Sequence, residues 1–285
     1  MLNLTSGSLF DAVNLSSSPL NGDSKAVPGL ITLNQTIYSA VIGGIINATV
    51  HKETKMHAIS LLNSNRNTVR KVRALAHWRS ALAIHGGSKN EISKCNAGGD
   101  EGRTIPVRAL WCLATSHAYI HHNYIHHSES HALDFDAYTG NSICWNNLCE
   151  DNSAEGIFVE ETAHDNVVVG NTCRRNKHGI GVYSEAVGPV KNNVFFGNFL
   201  YNNTINGIIA GGAGHNPNKH SESNVFFSNT ASGNADGTTD GQFNPAHGIN
   251  IGDFWFNNVV DEKDETKFYP LPMSNVNTSM FDPEM

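Results

Sequence analysis

One short segment returns along this chain at nearly constant spacing, and no other feature constrains the fold as tightly. Asn147-Leu-Cys-Glu-Asp-Asn152 recurs as Asn171-Thr-Cys-Arg-Arg-Asn176, Asn198-Phe-Leu-Tyr-Asn-Asn203 and Asn229-Thr-Ala-Ser-Gly-Asn234, with Asn123-Tyr-Ile-His-His-Ser128 upstream. The steps are 24, 24, 27 and 31 residues, and both ends of the motif move together. After each copy stands a short apolar segment: His131-Ala-Leu-Asp-Phe-Asp136, Glu155-Gly-Ile-Phe-Val-Glu160, His178-Gly-Ile-Gly-Val-Tyr183, Asn206-Gly-Ile-Ile-Ala-Gly211 and His247-Gly-Ile-Asn-Ile-Gly252.

Strand period 2 sends alternate residues to opposite faces. Leu133, Ile157, Ile180, Ile208 and Ile249 then form one column, and Phe135, Val159, Val182, Ala210 and Ile251 a second. Both columns are apolar and read as core; Trp111 and Ile84 are read as their upstream extension. A strand-turn-strand unit of this length cannot bury its own face, whereas stacked units share a continuous core. The expected fold is all-β: a single-stranded right-handed parallel β-helix, a solenoid with coils of about 24 residues. The recurrent asparagines fit a stacked ladder, since Asn tolerates the left-handed conformation and its amide can bond to the next coil. A leucine-rich repeat would need Leu-x-x-Leu-x-Leu, and a β-propeller a longer period with Trp-Asp signals; neither is present.

Composition agrees. Asn supplies 35 of 285 residues and Gly 26, which are turn formers rather than the residues of long helices. A formal charge of −7 argues against a nucleic-acid partner. No apolar run reaches the roughly 18 residues of a transmembrane helix. The clear coils span 76–260 within a β-helix over 28–260; residues 1–27 read as a polar lead-in and 261–285 as a cap or disordered tail. Met1–Phe10 shows no signal peptide. Five cysteines, Cys95, Cys112, Cys144, Cys149 and Cys173, lack a Cys-x-x-Cys zinc pattern. Cys149 and Cys173 fall one coil apart, as stacked core residues or as a strained disulfide. The oligomeric state is left open.

The opposite faces of the same strands give the outer columns. One is Asp134, Phe158, Gly181, Ile209, Asn250; the next is Asp136, Glu160, Tyr183, Gly211, Gly252; the residue after it gives Ala137, Glu161, Ser184, Gly212, Asp253. Carboxylates facing each other at strand spacing destabilise a sheet. Asp134, Asp136 and Glu160 therefore call for a retained proton, a bridging metal such as Ca²⁺, or a substrate that uses them as acid, base or nucleophile. Tyr183 stands beside them. Phe158 offers a face to a sugar ring, and Gly211 and Gly212 leave room for a ligand near the backbone. His131 and His178 share a turn column with Glu155, Asn206 and His247; His131 beside the acids is a candidate base. Arg175 is a nearby cation for a substrate carboxylate. His121, His122, His126 and His127 crowd a single coil and read as turn residues.

The Asn-rich coils with Gly-Ile strands, over about 76–260, resemble the pectate-lyase-like β-helix superfamily, which includes polysaccharide lyases, mannuronan C5-epimerases and NosD-type repeats. The epimerases carry Asp-Pro-His-Asp/Glu; here Asp134 matches the first Asp, while Phe135, Asp136 and Ala137 depart from the rest. The resemblance implies a secreted or cell-surface protein acting on a polysaccharide. It favours a uronate lyase or C5-epimerase, in which Asp134, Asp136 and Glu160 hold Ca²⁺ or a proton and Tyr183 or His131 moves the α proton. Two alternatives stand beside it: a glycoside hydrolase or transglycosidase using Asp136 and Glu160 as its carboxylate pair, and a non-catalytic glycan-binding solenoid.

Overall fold

A computed structural model describes residues 29–47, 57–75, 79–99, 108–184, 188–212, 220–234, 242–247 and 250–260. The chain winds as a parallel β-solenoid, and three nine-stranded sheets run along its length. Sheet I holds Gly29–Asn34, His57–Asn65, Leu82–Ser88, Arg108–Leu113, His131–Phe135, Glu155–Glu160, His178–Ser184, Asn206–Gly212 and Phe243–His247. Sheet II runs from Ala40–Ile42 to Phe254–Phe256 and sheet III from Ile45–Asn47 to Val259–Val260. Every neighbour pairing is parallel, one coil to the next.

Register follows the two apolar columns. Leu133, Ile157, Ile180 and Ile208 stack, as do Phe135, Val159, Val182 and Ala210. The coils also begin earlier than the clear repeat: Gly29–Asn34 and His57–Asn65 are full members of sheet I. All five cysteines are buried free thiols, and Cys149 stacks on Cys173 as a core residue. The lead-in 1–27 and the tail 261–285 lie outside the described residues.

Three asparagine ladders close the corners. In one, starting from the Asn123 amide, Asn147, Asn171, Asn198, Asn229 and Asn258 each take the side-chain amide of the coil before. A second joins Asn152, Asn176, Asn203 and Asn234. A third joins Asn166, Asn193 and Asn224. Asn147 Nδ2 donates to Asn171 Oδ1 at 2.9 Å, and the backbone N–H of Asn147 donates to the same oxygen at 3.0 Å. The left-handed turn is not made by the ladder residue. It falls on the residue before, as at Asn146, Asp151, Gly170, Arg175, Asn192 and Asn202, so the ladder amide is left free to bond along the axis.

Sheet I bends after its first outward residue. A Cβ on Gly156 would meet Cys173 Cβ at 2.9 Å and the Gly179 carbonyl oxygen at 2.8 Å, inside the core. A Cβ on Gly181 would meet Glu155 Cγ at 2.7 Å, on the outer face. Residues 156 and 157 thus both point inward, and 155, 158 and 160 point out. This is why Ala or Gly stands before the core Leu or Ile from Ala58 to Gly207: the corner between neighbouring coils has little room for more.

Two expectations are corrected here. Trp111 pairs with Asp134 and stands in the outer column, while Ile84 does join the core through Cys112. The last strand of sheet I is Phe243–His247, not the segment from His247 to Gly252. Phe243 pairs with Ile208, the register slips past Ile209, and His247 falls opposite Gly211. Asn250–Ile251 pairs instead with Ser221–Glu222, and Ile251 is 49% exposed, so it is no core residue.

Candidate active site

Counted from Arg108, His131, Glu155, His178 and Asn206, the bend gives these strands three outward positions, at the first, fourth and sixth residue. The first column runs Arg108, His131, Glu155, His178, Asn206. The second runs Ala83, Trp111, Asp134, Phe158, Gly181, Ile209. The third holds His85 and Leu113, then Asp136, Glu160, Tyr183 and Gly211. Four successive strands, from Arg108–Leu113 to His178–Ser184, bring together everything that carries chemistry.

At the centre, one oxygen each from Asp134, Asp136 and Glu160 lies within 4.8 Å of the others. The guanidinium of Arg108 sits among them. Its Nε contacts Asp134 Oδ2, its Nη2 donates to Glu160 Oε1 at 3.0 Å, and Nη2 lies 4.0 Å from Asp136 Oδ2. Trp111 Nε1 donates to that same Asp136 Oδ2 at 2.9 Å, and the Ala137 N–H donates to Asp136 Oδ1 at 2.6 Å. Arg108 and Arg79 both lie over the Trp111 ring, at 4.8 and 5.2 Å from its centroid.

The like-charge problem is thus met by a fourth route, a half-buried arginine over buried carboxyls. Burial first, then the neighbouring Asp136, push Glu160 up to about 7, with Arg108 restraining the rise. Burial also raises Asp134 well above the usual carboxylate range, again against the pull of Arg108. Burial alone would lower Arg108, but Asp134, Glu160 and Asp136 together hold it firmly charged. Asp134 is fully buried, and its Oδ1 has no partner. A Ca²⁺ ion does not fit this donor set as it stands. The guanidinium already lies within hydrogen-bond reach of two of the three carboxylates, supplying the charge a metal would bring.

Beside this cluster is a second one. Glu155 receives Tyr183 Oη at 2.7 Å on one oxygen and His131 Nδ1 at 2.6 Å on the other. Burial would raise Glu155, but the hydrogen bond and charge of His131 and the hydrogen bond of Tyr183 outweigh it and bring it down to about 2. An ionised Glu155 holds a proton on His131 Nδ1, so in the neutral ring the lone pair falls on Nε2. Solvent reaches this edge, with 21% of the Arg108 side chain exposed and 15% of His131, while Asp134, Asp136 and Glu160 are buried beneath.

The remaining expected site residues divide. Phe158 lies between His131 and Tyr183, at ring separations of 4.5 and 4.6 Å, and is 1% exposed; it supports those rings and offers no open face to a sugar. His178 is buried next to Glu155 in register. Glu161 takes the left-handed turn after its strand and is buried. Gly211 follows Tyr183, and Gly212 follows Ser184, so that column is bare as expected. Arg175 is not at this site: it belongs to a corner of sheet III, paired with Asp151 and Glu150. Of the flanking insertions, residues 185–187 and 213–219 lie outside the described residues. Arg108, Trp111 and the role of Glu155 were missed from sequence. Aligning Arg108-Ala-Leu-Trp with His131-Ala-Leu-Asp would have placed Arg108 over His131 and Trp111 over Asp134.

The family model described as "Right handed beta helix region" matches residues 57–226. The chain belongs to the right-handed β-helix family. Solved β-helices resemble it over most of its length. The periplasmic alginate epimerase AlgG is 13% identical with a TM-score of 0.59, over 77% of this chain and 50% of that one. The Azotobacter vinelandii mannuronan C-5 epimerase AlgE6 A-module is 13% identical with a TM-score of 0.60, over 84% and 78%. A mutant tailspike of E. coli bacteriophage HK620, solved in complex with a hexasaccharide, is 11% identical with a TM-score of 0.55, over 80% and 44%. This β-helix thus spans about half the length of AlgG. At such identities the likeness is one of fold. No curated protein matches the sequence. Among the described residues, no helix is long and apolar enough to cross a membrane.

Proposed function

We propose that this β-helix abstracts the proton alpha to a carboxylate in a uronate polysaccharide, as a lyase or C5-epimerase. The observation that carries the reading is the shared Glu155, which orients His131 and Tyr183 from adjacent strands with Arg108 next to His131 in register. His131 Nε2 takes the proton. Tyr183 Oη returns one, to the carbon in an epimerase or to the leaving oxygen in a lyase. Arg108 uses two of its five donors on Asp134 and Glu160, leaving Nη1 for the substrate carboxylate as negative charge grows on it. The reading needs no metal, since Arg108 takes the neutralising part, and chelators should leave activity unchanged. The alginate epimerases among the solved neighbours support it by analogy of fold.

The test is a panel of acidic polysaccharides in D₂O, followed by the ultraviolet absorbance of unsaturated uronates and by deuterium at C5. Absorbance with new reducing ends marks a lyase; deuterium without chain cleavage marks an epimerase. His131→Ala and Tyr183→Phe should each lower the rate by about 10²- to 10⁴-fold. A second reading rests on Glu160, held near 7 beside Asp136, a split that suits a glycosidase acid and its partner carboxylate. Reducing ends released from neutral glycans, abolished by Glu160→Gln and kept in His131→Ala, would decide for it. Binding without turnover of any glycan would leave a glycan-binding solenoid.

A further inference from the structure

The histidine-rich segment His121-His122-Asn123-Tyr124-Ile125-His126-His127 plays no part in the reading above, and its geometry is specific. It crosses the corner between sheets II and III. His122 and His127 each adopt the left-handed conformation, with φ of 55° and 51°. That turn brings consecutive imidazoles to the same side of the chain. The Nδ1 atoms of His121 and His122 lie 2.9 Å apart, and those of His126 and His127 lie 2.8 Å apart.

We infer that each pair is a bidentate chelate for a divalent transition metal of square-planar or tetragonal preference, Cu²⁺ or Ni²⁺. Two nitrogens about 2.0 Å from one metal stand about 2.8–2.9 Å apart at a right angle and about 3.3 Å apart at a tetrahedral angle. Both pairs match the right angle, and Cu²⁺ and Ni²⁺ favour that arrangement with nitrogen donors.

The far nitrogens of the leading rings give independent support. His126 Nε2 lies 2.8 Å from Asn96 Oδ1, and His121 Nε2 lies 3.3 Å from Glu91 Oε1. Glu91 is itself held by Ser93 Oγ at 2.7 Å. Metal-binding histidines characteristically donate their second ring N–H to such an acceptor, which leaves the first nitrogen bare for the metal.

In the metal-free protein one Nδ1–H of each pair donates to the other Nδ1. When metal binds, the donating ring moves that proton to its Nε2 through solvent, and both Nδ1 lone pairs turn to the metal with no net proton release. Water completes the coordination.

The experiment uses the untagged full chain. Equilibrium dialysis against Cu²⁺ should show two equivalents bound, with Ca²⁺ unable to compete. Electron paramagnetic resonance of that Cu²⁺ should show tetragonal copper with splitting from two nitrogens. His122→Asn and His127→Asn, chosen because Asn accepts the left-handed turn, should each remove one equivalent while circular dichroism is unchanged. Trp145 stacks on His121 at 4.0 Å, so Cu²⁺ at that pair should quench its fluorescence; His122→Asn should abolish the quenching and His127→Asn should not. Copper bound in wild-type amounts by a variant with all four histidines changed to Asn would assign it to the other 11 of the 15 histidines and overturn the inference. So would wild-type copper lacking two-nitrogen splitting, a readout that needs no variant.

Discussion

Replacing Arg108 with leucine should cost stability in a manner set by pH. The native guanidinium lies 3.0 Å from Glu160 Oε1, 4.0 Å from Asp136 Oδ2 and in contact with Asp134. Removing one partner of a buried ion pair costs about 3–5 kcal/mol, because an unmatched charge stays behind. Here three carboxyls would stay behind, and their escape is to hold protons. Glu160 already sits at about 7 and Asp134 is raised with the arginine present; without it both move higher. A group whose folded pKa exceeds its unfolded value contributes stability that is complete below the unfolded value and lost as pH rises through the folded one. Arg108→Leu should therefore lie near the wild type at about pH 5 and fall away toward about pH 8. Each extra proton held by the folded state adds about 1.4 kcal/mol per pH unit, so one proton over about two units gives about 3 kcal/mol. Urea unfolding at several pH values, followed by tryptophan fluorescence, measures this. A loss equal at both ends of the range, or under about 1 kcal/mol at the alkaline end, would refute the arginine's neutralising role.

Other perturbations test other parts. Glu155→Gln should remove stability that is present above the carboxyl's ordinary 4.5 and vanishes as pH falls through about 2, at most about 3 kcal/mol near neutrality; a thermal-melt series from acid to neutral pH would show the two proteins converging in acid. Asn171→Ala strands the buried Asn147 N–H and the Cys144 carbonyl, at about 1–3 kcal/mol each, and a urea midpoint unchanged from wild type would count against the ladder as a source of stability. Gly156→Ala pushes a methyl to within 2.9 Å of Cys173 Cβ and should cost about 1–3 kcal/mol by the same measurement, whereas a change at the outward Gly181 would meet only side chains of the site.

The coils were legible because the asparagine motif and the Gly-Ile strands repeat together, and one strand's register then fixes its neighbours. The site was legible in part. Asp134, Asp136, Glu160, His131 and Tyr183 do converge on the outer face of sheet I. Strict alternation hid the rest. It puts the position of Arg108 on the core face, because period 2 ignores the bend at the Ala/Gly corner. Trp111 was taken for core on residue type, though its place opposite Asp134 follows from setting Leu110 against Leu133. The final coil failed for another reason: His247-Gly-Ile imitates the motif, while Phe243 is the residue that stacks on Ile208. The Asn166 ladder was not singled out because its upstream members change to Ser142, whose hydroxyl still accepts the Ala118 N–H, and to Ala118, whose side chain accepts nothing.

The ladders have a direction. Each amide receives at its oxygen from the coil before, gives one N–H to the coil after and the other back to a carbonyl of the coil before, so an asparagine both takes a bond and hands one on. Asn224 gives its backbone N–H and its side-chain amide to Asp253 Oδ1, at 2.7 and 3.2 Å. A carboxylate can receive that pair but has no N–H to pass forward. Aspartate at such a corner is therefore a stop codon of sorts, written in hydrogen bonds: a ladder can arrive at Asp253, and through that side chain it goes no further.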